Sequence, residues 1–315
     1  MTMQPVIFLM GPTAAGKTDL AIEIAKQQAN IEIISVDSAL VYRGMNIGTA
    51  KPDAAILAQY PHHLVDIIEP TAHYSAGAFC QDARRLISEI HARGKIPLLV
   101  GGTMLYFNAL QYGIADLPDA DPVVRQKLDA EALEFGWGAL HKRLASIDPD
   151  AAKRIHENDP QRLQRALEVY EITGKTLTEL TRDTVANFDY PLLKIILAPF
   201  DRKILHERIA NRYHEMMVLG LIEEVKRLFN RPDCHEKLPA MRAVGYRQVW
   251  SYLKQEYDEE TLLEKAIIAT RQMAKRQLTW CRSQQDGVWF DSGVDLPVEA
   301  VMQFLRDSGL KKILR

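Results

Sequence analysis

Short apolar runs alternate with amphipathic stretches along the first hundred residues. Val6–Met10, Ile31–Val36 and Ile96–Val100 are largely apolar and have the length of strands, whereas Lys17 to about Gln28 spaces its apolar side chains as a helix does. Buried strands that alternate with helices are typical of βαβ units, in which helices cover a parallel sheet. The pattern therefore predicts an α/β fold.

The pattern changes at residue 118. From Pro118 to about Asn187 no segment has the character of a strand, and Asp148-Pro149 and Asp159-Pro160 each place an N-cap residue before a proline at the first helical position. A new apolar run, Leu192–Ala198, predicts a strand that rejoins the sheet, and the rest of the chain is mostly helical.

These changes define the predicted domain organisation. We expect an α/β core at residues 1–117 and 188–315, in which helices form the C-terminal part, and an all-helical insertion at residues 118–187. At 315 residues the chain is long enough for two such domains.

Residues 11–18 read GPTAAGKT, which fits the phosphate-loop pattern G-x-x-x-x-G-K-[ST]. The segment lies between an apolar strand and an amphipathic helix, as that loop requires. Glycines let backbone N–H groups face a phosphate at the helix N-terminus, Lys17 adds a positive charge, and the Thr18 hydroxyl can ligate Mg²⁺. We therefore predict a P-loop NTPase-like parallel sheet flanked by helices. The loop binds a phosphate chain but does not identify the ligand.

Two further strand ends carry candidate site residues. Asp37 follows the second strand and should emerge beside the phosphate loop, where a general base belongs, although a cap or loop carboxylate is an equal alternative. The strand ending at Val100 continues into Gly101-Gly102-Thr103, without the acidic residue that organises the metal in ATP-hydrolysing P-loop proteins. This counts against an ATPase. Thr103 is either a substrate-binding hydroxyl or part of a tight turn.

Charge limits how a polyanion could be bound. Lys and Arg number 39 against 41 Asp and Glu, so any nucleic acid must meet a local basic patch. Residues 265–285 contain five basic residues, no acidic residue and Trp280, and residues 242–247 add two arginines and a tyrosine. Phosphate contact with base stacking is the functional interpretation, and a solvated helix face is the alternative. Arg162 and Arg165 are expected on the polar side of a helix in the insertion.

The cysteines and the lengths of the apolar runs predict the cellular compartment. Cys80, Cys234 and Cys281 are far apart and form no CxxC pair, which predicts neither a disulfide framework nor a zinc module. No stretch approaches the roughly 20 consecutive apolar residues that span a bilayer. We therefore expect a cytoplasmic protein that does not enter a membrane.

Six segments carry a family resemblance when they are taken together. They read GPTAAGKT at 11–18, SVDSALVY at 35–42, GTAKP at 48–52, GGTMLY at 101–106, DPQR at 159–162 and RAVGYRQ at 242–248. The set resembles the tRNA dimethylallyltransferase (tRNA isopentenyltransferase) family of bacterial type, nearly from end to end. The resemblance implies transfer of a dimethylallyl group from dimethylallyl diphosphate to the N6 amine of the adenosine just 3′ of the anticodon, with release of pyrophosphate. We expect Mg²⁺ as the cofactor, the tRNA anticodon stem-loop as the partner, and a monomer.

The resemblance also implies residue roles. Asp37 would act on the amine, Thr103 would help place amine and donor, and Lys17 would assist the departure of pyrophosphate. The donor diphosphate would be held by Gly11, Pro12, Thr13, Ala14, Ala15, Gly16, Lys17, Thr18 and Arg212. Contacts with tRNA would come from Asp37, Ser38, Ala39, Leu40, Thr103, Arg125, Gln161, Arg162, Leu163, Gln164, Arg165, Arg242, Ala243, Val244, Gly245, Tyr246, Arg247, Lys275, Arg276, Gln277, Leu278, Thr279, Trp280, Cys281 and Arg282. Leu40 departs from the family, in which many members have Gln at that position.

Two other functions remain open. A small-metabolite kinase would use the same loop with Asp37 as the base for a hydroxyl, but it has no use for the basic aromatic C-terminal segment. A nucleic-acid-binding ATPase would use that segment but lacks the acidic strand end.

Overall fold

The computed structural model describes residues 4–182, 184, 186 and 188–308. Its strands in this part of the chain are β1 (Val6–Met10), β2 (Ile31–Val36), β3 (His62–His63), β4 (Ile96–Gly101), β5 (Leu192–Ala198) and β6 (Val288–Asp291). They form one sheet in the order β3-β2-β4-β1-β5-β6, and every pairing is parallel. The predicted α/β fold with a parallel sheet is confirmed.

Helices account for most of the remaining described residues. They are α1 (Lys17–Gln27), α2 (Ala54–Gln59), α3 (Ala76–Ala92), α4 (Met104–Tyr112), α5 (Pro122–Phe135), α6 (Trp137–Ile147), α7 (Pro149–Arg154), α8 (Pro160–Thr173), α9 (Leu177–Arg182), α10 (Arg202–Val218), α11 (Leu221–Phe229), α12 (Tyr246–Leu253), α13 (Glu259–Arg282) and α14 (Val298–Asp307). None of the helices in the described ranges is long and apolar enough to cross a membrane.

The chain divides into two compact units. The first comprises Met1–Leu110 and Asp189–Arg315, and the second comprises Gln111–Phe188. The predicted insertion at residues 118–187 falls within the second unit. Its boundary residue 187, and residues 309–315 of the predicted core, lie outside the described residues.

The sheet is the centre of the first unit. β1 pairs with β4 on one side and with β5 on the other, and all residues of β1 and β4 are buried. Continuous apolar strands suit a parallel sheet that is covered on both faces. Since β2, β4 and β1 are neighbours and parallel, their carboxyl ends meet at one edge, which is where such sheets bind ligands.

The C-terminal helices form a second core in the same unit. Buried side chains of α10, α11, α12 and α13 pack there with Val41, Tyr42 and Met45, which follow β2. This packing fixes the loop after β2 against the helices, and thereby fixes one wall of the sheet edge.

The second unit, α5 to α9, has its own apolar core, in which Leu128, Leu144 and Leu163 are buried. Asp148 accepts from Ala151 N at 3.0 Å and caps α7, and Asp159 accepts from Arg162 N at 3.2 Å and caps α8. Both Asp-Pro pairs therefore begin helices, as the sequence predicts.

Candidate active site

The phosphate loop joins β1 to α1 and ends at Gly16, whose φ of +86° is costly for any residue with a Cβ. Lys17 is half-buried and donates from Nζ to the Pro12 carbonyl at 2.6 Å. Burial lowers the pKa of Lys17 from 10.5 to about 8, against the opposing effect of the Asp37 carboxylate. The loop therefore holds a cation whose charge is sensitive to mildly alkaline pH.

Asp37 lies at the end of β2. Its Oδ1 accepts from Ala39 N at 2.8 Å and Leu40 N at 3.3 Å, while Oδ2 has no hydrogen-bond partner among the described residues. Burial raises the pKa of Asp37, whereas the two N–H donors and Lys17 act in the opposite direction. One oxygen therefore shapes the turn, as a loop carboxylate does, and the other is left free of protein hydrogen bonds in the described residues; the role of a general base stays a prediction.

Thr103 ties the end of β4 to the end of β2. Its Oγ1 accepts from Ser38 N at 3.1 Å, and its own N–H donates to the Val36 carbonyl at 3.3 Å. Thr103 thus belongs to a tight turn and also presents its hydroxyl beside Asp37.

Two cavities share this edge. The more polar one has a volume of about 210 Å³ and includes Thr13, Ala14, Gly16, Lys17, Thr18, Asp19, Asp37, Leu40 and Arg212 in its lining. The other, of about 180 Å³, is lined by Asp37, Ser38, Ala39 and Thr103 and also by Tyr213, Met216, Ala243, Val244 and Met273. Both cavities are lined by Thr13, Lys17, Asp37, Thr49, Ala50, Gly102 and Arg212. Of the predicted donor residues, Gly11, Pro12 and Ala15 are outside the lining of these two cavities.

The polar cavity offers oxygen donors but no ready-made metal cage. The Thr18 hydroxyl and the carboxylates of Asp19 and Asp37 line it. Within the described residues no group of three or more His, Cys, Asp and Glu side chains could hold a metal ion. This combination fits Mg²⁺, which is typically bound by few protein oxygens together with substrate phosphates.

A buried glutamate that the sequence analysis missed fixes the loop after β2. Glu224 of α11 accepts from the N–H groups of Asn46 at 2.9 Å and Gly48 at 3.1 Å, from Ile47 N, and from the Tyr246 hydroxyl. A Cβ on Gly48 would lie 2.5 Å from the Tyr246 ring. Residues 49 and 50, which line both cavities, are held in place by this contact.

The same contact corrects one predicted role. Tyr246 is completely buried, so the prediction that it contacts tRNA is wrong for its side chain. The neighbouring Gly245 is also buried, whereas Arg242 and Arg247 are exposed and form no ion pair among the residues described.

Helix α13 presents its predicted tRNA residues in different directions. Lys275, Arg276, Thr279, Trp280 and Arg282 are exposed. Leu278 and Cys281 are buried in the core, and the prediction that their side chains contact RNA is wrong. Gln277 faces inward, accepting from Thr13 N at 2.9 Å and donating to the Gly102 carbonyl at 2.8 Å. Gln277 is half-buried and also lines the second cavity, so its predicted contact with RNA stays a prediction.

In the second unit, a buried carboxylate binds two of the predicted arginines. Glu168 is fully buried and accepts from Arg125 Nε at 2.8 Å and from Arg165 Nη1 at 2.7 Å. Arg165 also donates to the Pro118 carbonyl at 2.6 Å, so its guanidinium binds groups of the second unit instead of pointing freely to solvent. Leu163 is in the core and has no side-chain surface for RNA.

The other predicted residues of α8 differ in exposure. Gln164 donates to Asp129 Oδ1 at 2.6 Å. Gln161 and Arg162 remain exposed, and Arg162 lies 3.4 Å from Asp159.

Comparison with known proteins gives one consistent result. The IPP transferase family matches residues 40–284. The tRNA dimethylallyltransferase of Alkalilimnicola ehrlichii is 58% identical over 281 residues, which are 89% of this chain and 88% of that protein. The protein of the same name from Thioalkalivibrio sulfidiphilus is 59% identical over 89% of this chain and 87% of its own.

Solved structures agree with the sequence relatives. The tRNA isopentenylpyrophosphate transferase of Bacillus halodurans superimposes with a TM-score of 0.71 at 37% identity, covering 98% of each chain. A eukaryotic dimethylallyltransferase, described as acting on tRNA, gives a TM-score of 0.81 at 25% identity over 98% of this chain and 79% of that one.

Proposed function

The chain belongs to the IPP transferase family, and we propose that it transfers a dimethylallyl group from dimethylallyl diphosphate to the N6 amine of the adenosine 3′ of the anticodon in tRNA. One observation carries the proposal: Lys17 and Asp37 line two adjoining cavities, one more polar and one more apolar. The first suits a diphosphate, and the second suits a short alkyl chain beside a base. The names of the relatives support the same activity.

The donor side stabilises a leaving group. Lys17, Arg212 and the N–H groups at the start of α1 surround the diphosphate, and they neutralise the charge that develops as the allylic carbon–oxygen bond breaks. We assign Mg²⁺ to Thr18, where it would add further positive charge to the pyrophosphate.

The acceptor side activates a weak nucleophile. The N6 lone pair forms the new bond to the allylic carbon, pyrophosphate leaves with the electrons of the broken bond, and the N6 proton passes to Asp37 Oδ2. Burial raises the pKa of Asp37 and makes it a better base. A positioned general base contributes about 10²–10⁴-fold to the rate.

The tRNA must deliver its adenine out of a stacked loop, at a cost of a few kcal/mol. Contacts of Arg242, Arg247, Lys275, Arg276 and Arg282 with phosphates offset that cost, since these side chains are exposed.

We also propose that the enzyme acts as a monomer in the cytoplasm. The monomer is supported by the two cavities, which are lined entirely by the first unit of one chain. The cytoplasm is supported by the three cysteines of the chain, which are free and buried.

The deciding experiment incubates the protein with Mg²⁺, dimethylallyl diphosphate labelled in the alkyl group, and unmodified tRNA. We expect label in N6-dimethylallyladenosine after nuclease digestion, and none when guanosine replaces the adenosine beside the anticodon. A parallel reaction with ATP labelled at the γ-phosphate tests the alternatives. Phosphate release stimulated by RNA would favour an ATPase, and label in a small hydroxyl compound would favour a kinase.

A further inference from the structure

Gln277 connects two loops that are far apart in the sequence. Its Oε1 accepts from Thr13 N at 2.9 Å in the phosphate loop, and its Nε2 donates to the Gly102 carbonyl at 2.8 Å in the turn after β4. Both backbone groups lie at carboxyl ends of neighbouring strands. One side-chain amide therefore fixes the separation of the two loops.

The turn is built to receive this amide. A Cβ on Gly102 would lie 2.5 Å from Gln277 Nε2, so a larger residue at this position would displace the amide from the turn. The next residue, Thr103, accepts from Ser38 N at 3.1 Å, and Ser38 follows Asp37. A continuous set of contacts thus runs from α13 through the phosphate loop and the turn to the proposed base.

We propose that Gln277 is a positioning residue of the donor site and not a contact for RNA. This inference rests on the proposed function. Because Thr13 N–H is used by Gln277, the diphosphate is left to the N–H groups that follow in the loop, to Lys17 and to Arg212. Gln277 holds these groups at the spacing the donor requires, while its neighbours on α13, Lys275 and Arg276, face solvent.

Two variants of adjacent residues separate the two roles. Gln277→Met keeps the length and volume of the side chain but removes both hydrogen bonds. We expect the KM for dimethylallyl diphosphate to rise about tenfold, consistent with the loss of two ordinary hydrogen bonds, with a smaller change in kcat and an unchanged Kd for tRNA. The matched control, Arg276→Ala, should weaken tRNA binding and leave the donor KM unchanged.

A direct binding measurement keeps the test independent of catalysis. Inorganic pyrophosphate with Mg²⁺ is titrated into the free enzyme by calorimetry, and we expect about tenfold weaker binding by Gln277→Met, with thermal unfolding measured alongside to verify folding. If Gln277→Met weakens tRNA binding and leaves donor KM and pyrophosphate affinity unchanged, the proposal is wrong. Failure of the wild type to alkylate tRNA would instead refute the proposed function, and the pyrophosphate titration would still decide the role of Gln277.

Discussion

Asp37 and Lys17 at the sheet edge and the basic face of α13, defined as Lys275, Arg276 and Arg282, belong to the same unit but have opposite surroundings. The two groups at the edge are half-buried and hydrogen-bonded to backbone, and burial shifts both of their pKa values. The three on α13 are exposed and form no ion pair among the described residues. Chemistry requires fixed geometry, whereas attraction to phosphates requires only accessible charge.

The arginines of the second unit are intermediate between these two cases. Arg125 and Arg165 are cations in a segment predicted to contact tRNA, yet both are bound to the buried Glu168. An exposed cation without a partner can release counterions on binding RNA, whereas one whose charge is partly offset by a carboxylate contributes less. Surroundings, and not residue type, therefore distinguish the α13 face from Arg125 and Arg165.

The largest effect is expected at the sheet edge. Asp37→Asn keeps the shape of the side chain and the acceptor for the turn, but removes the proton acceptor. We predict a loss of kcat of roughly 10²-fold or more, with little change in tRNA affinity. Single-turnover rates and filter-binding affinities measure the two quantities. Near-normal kcat would mean that Asp37 only positions the adenine and that the amine attacks an already ionised allyl group unaided.

The next effect concerns the charge beside the donor. Lys17→Ala removes the cation that lies in both cavities, and we predict that kcat/KM for dimethylallyl diphosphate falls roughly 10- to 100-fold while tRNA affinity stays nearly constant. Steady-state kinetics with the donor varied at saturating tRNA give this value. Parallel losses of donor and tRNA affinity would show that the loop is not specific to the donor.

Lys17 should also set the alkaline limit of activity. Its pKa is lowered by burial to about 8, so it is charged below that pH and loses its charge as the pH rises through it. We predict that kcat/KM for the donor declines above about pH 8, by up to about tenfold per pH unit. Lys17→Arg, which stays charged, should lose this inflection even if its activity is low. An unchanged inflection in that variant would assign it to another group.

The features that the sequence predicts well are those that depend on residues adjacent in the chain. Four strands (β1, β2, β4 and β5), the phosphate loop and the position of Asp37 follow from runs of adjacent residues, whereas the short strands β3 and β6 were not predicted. The family resemblance is confirmed by the match over residues 40–284. Gln277 and Glu224 could not be identified as site-building residues, because their partners Thr13 and Gly48 are 264 and 176 residues away. No short-range signal distinguishes such a residue from any other polar residue on a helix.

Segments that are predicted to contact tRNA over their whole length also include buried residues. A helix shows only one side to a partner, so a continuous segment such as 275–282 necessarily includes residues of the opposite side. Leu278 and Cys281 are examples, and their periodicity with Ala274 could have identified them as core. The fold and the residues that meet at the sheet edge were therefore predictable, whereas the orientation of each side chain of α13 required the structure.

The smallest effect tests the basic face of α13. If Lys275, Arg276 and Arg282 each contact a phosphate, the logarithm of tRNA affinity should fall linearly with the logarithm of salt concentration. Each single alanine variant should then reduce that slope by about 0.7 to 0.9 units.

Lys265→Ala is a matched control on the same helix, because Lys265 lies 5.4 Å from the Tyr257 ring centroid and is about 15 Å from Lys275 along the axis. Arg125→Ala should change the slope less than the α13 variants, since Glu168, which Arg125 shares with Arg165, partly offsets the charge of that guanidinium. Fluorescence anisotropy of labelled tRNA over a salt series measures all five proteins against the wild type. If the slopes of the α13 variants equal that of Lys265→Ala, the basic face of α13 is a solvated helix surface. The different exposure of α13 and the sheet edge would then have no connection with RNA binding.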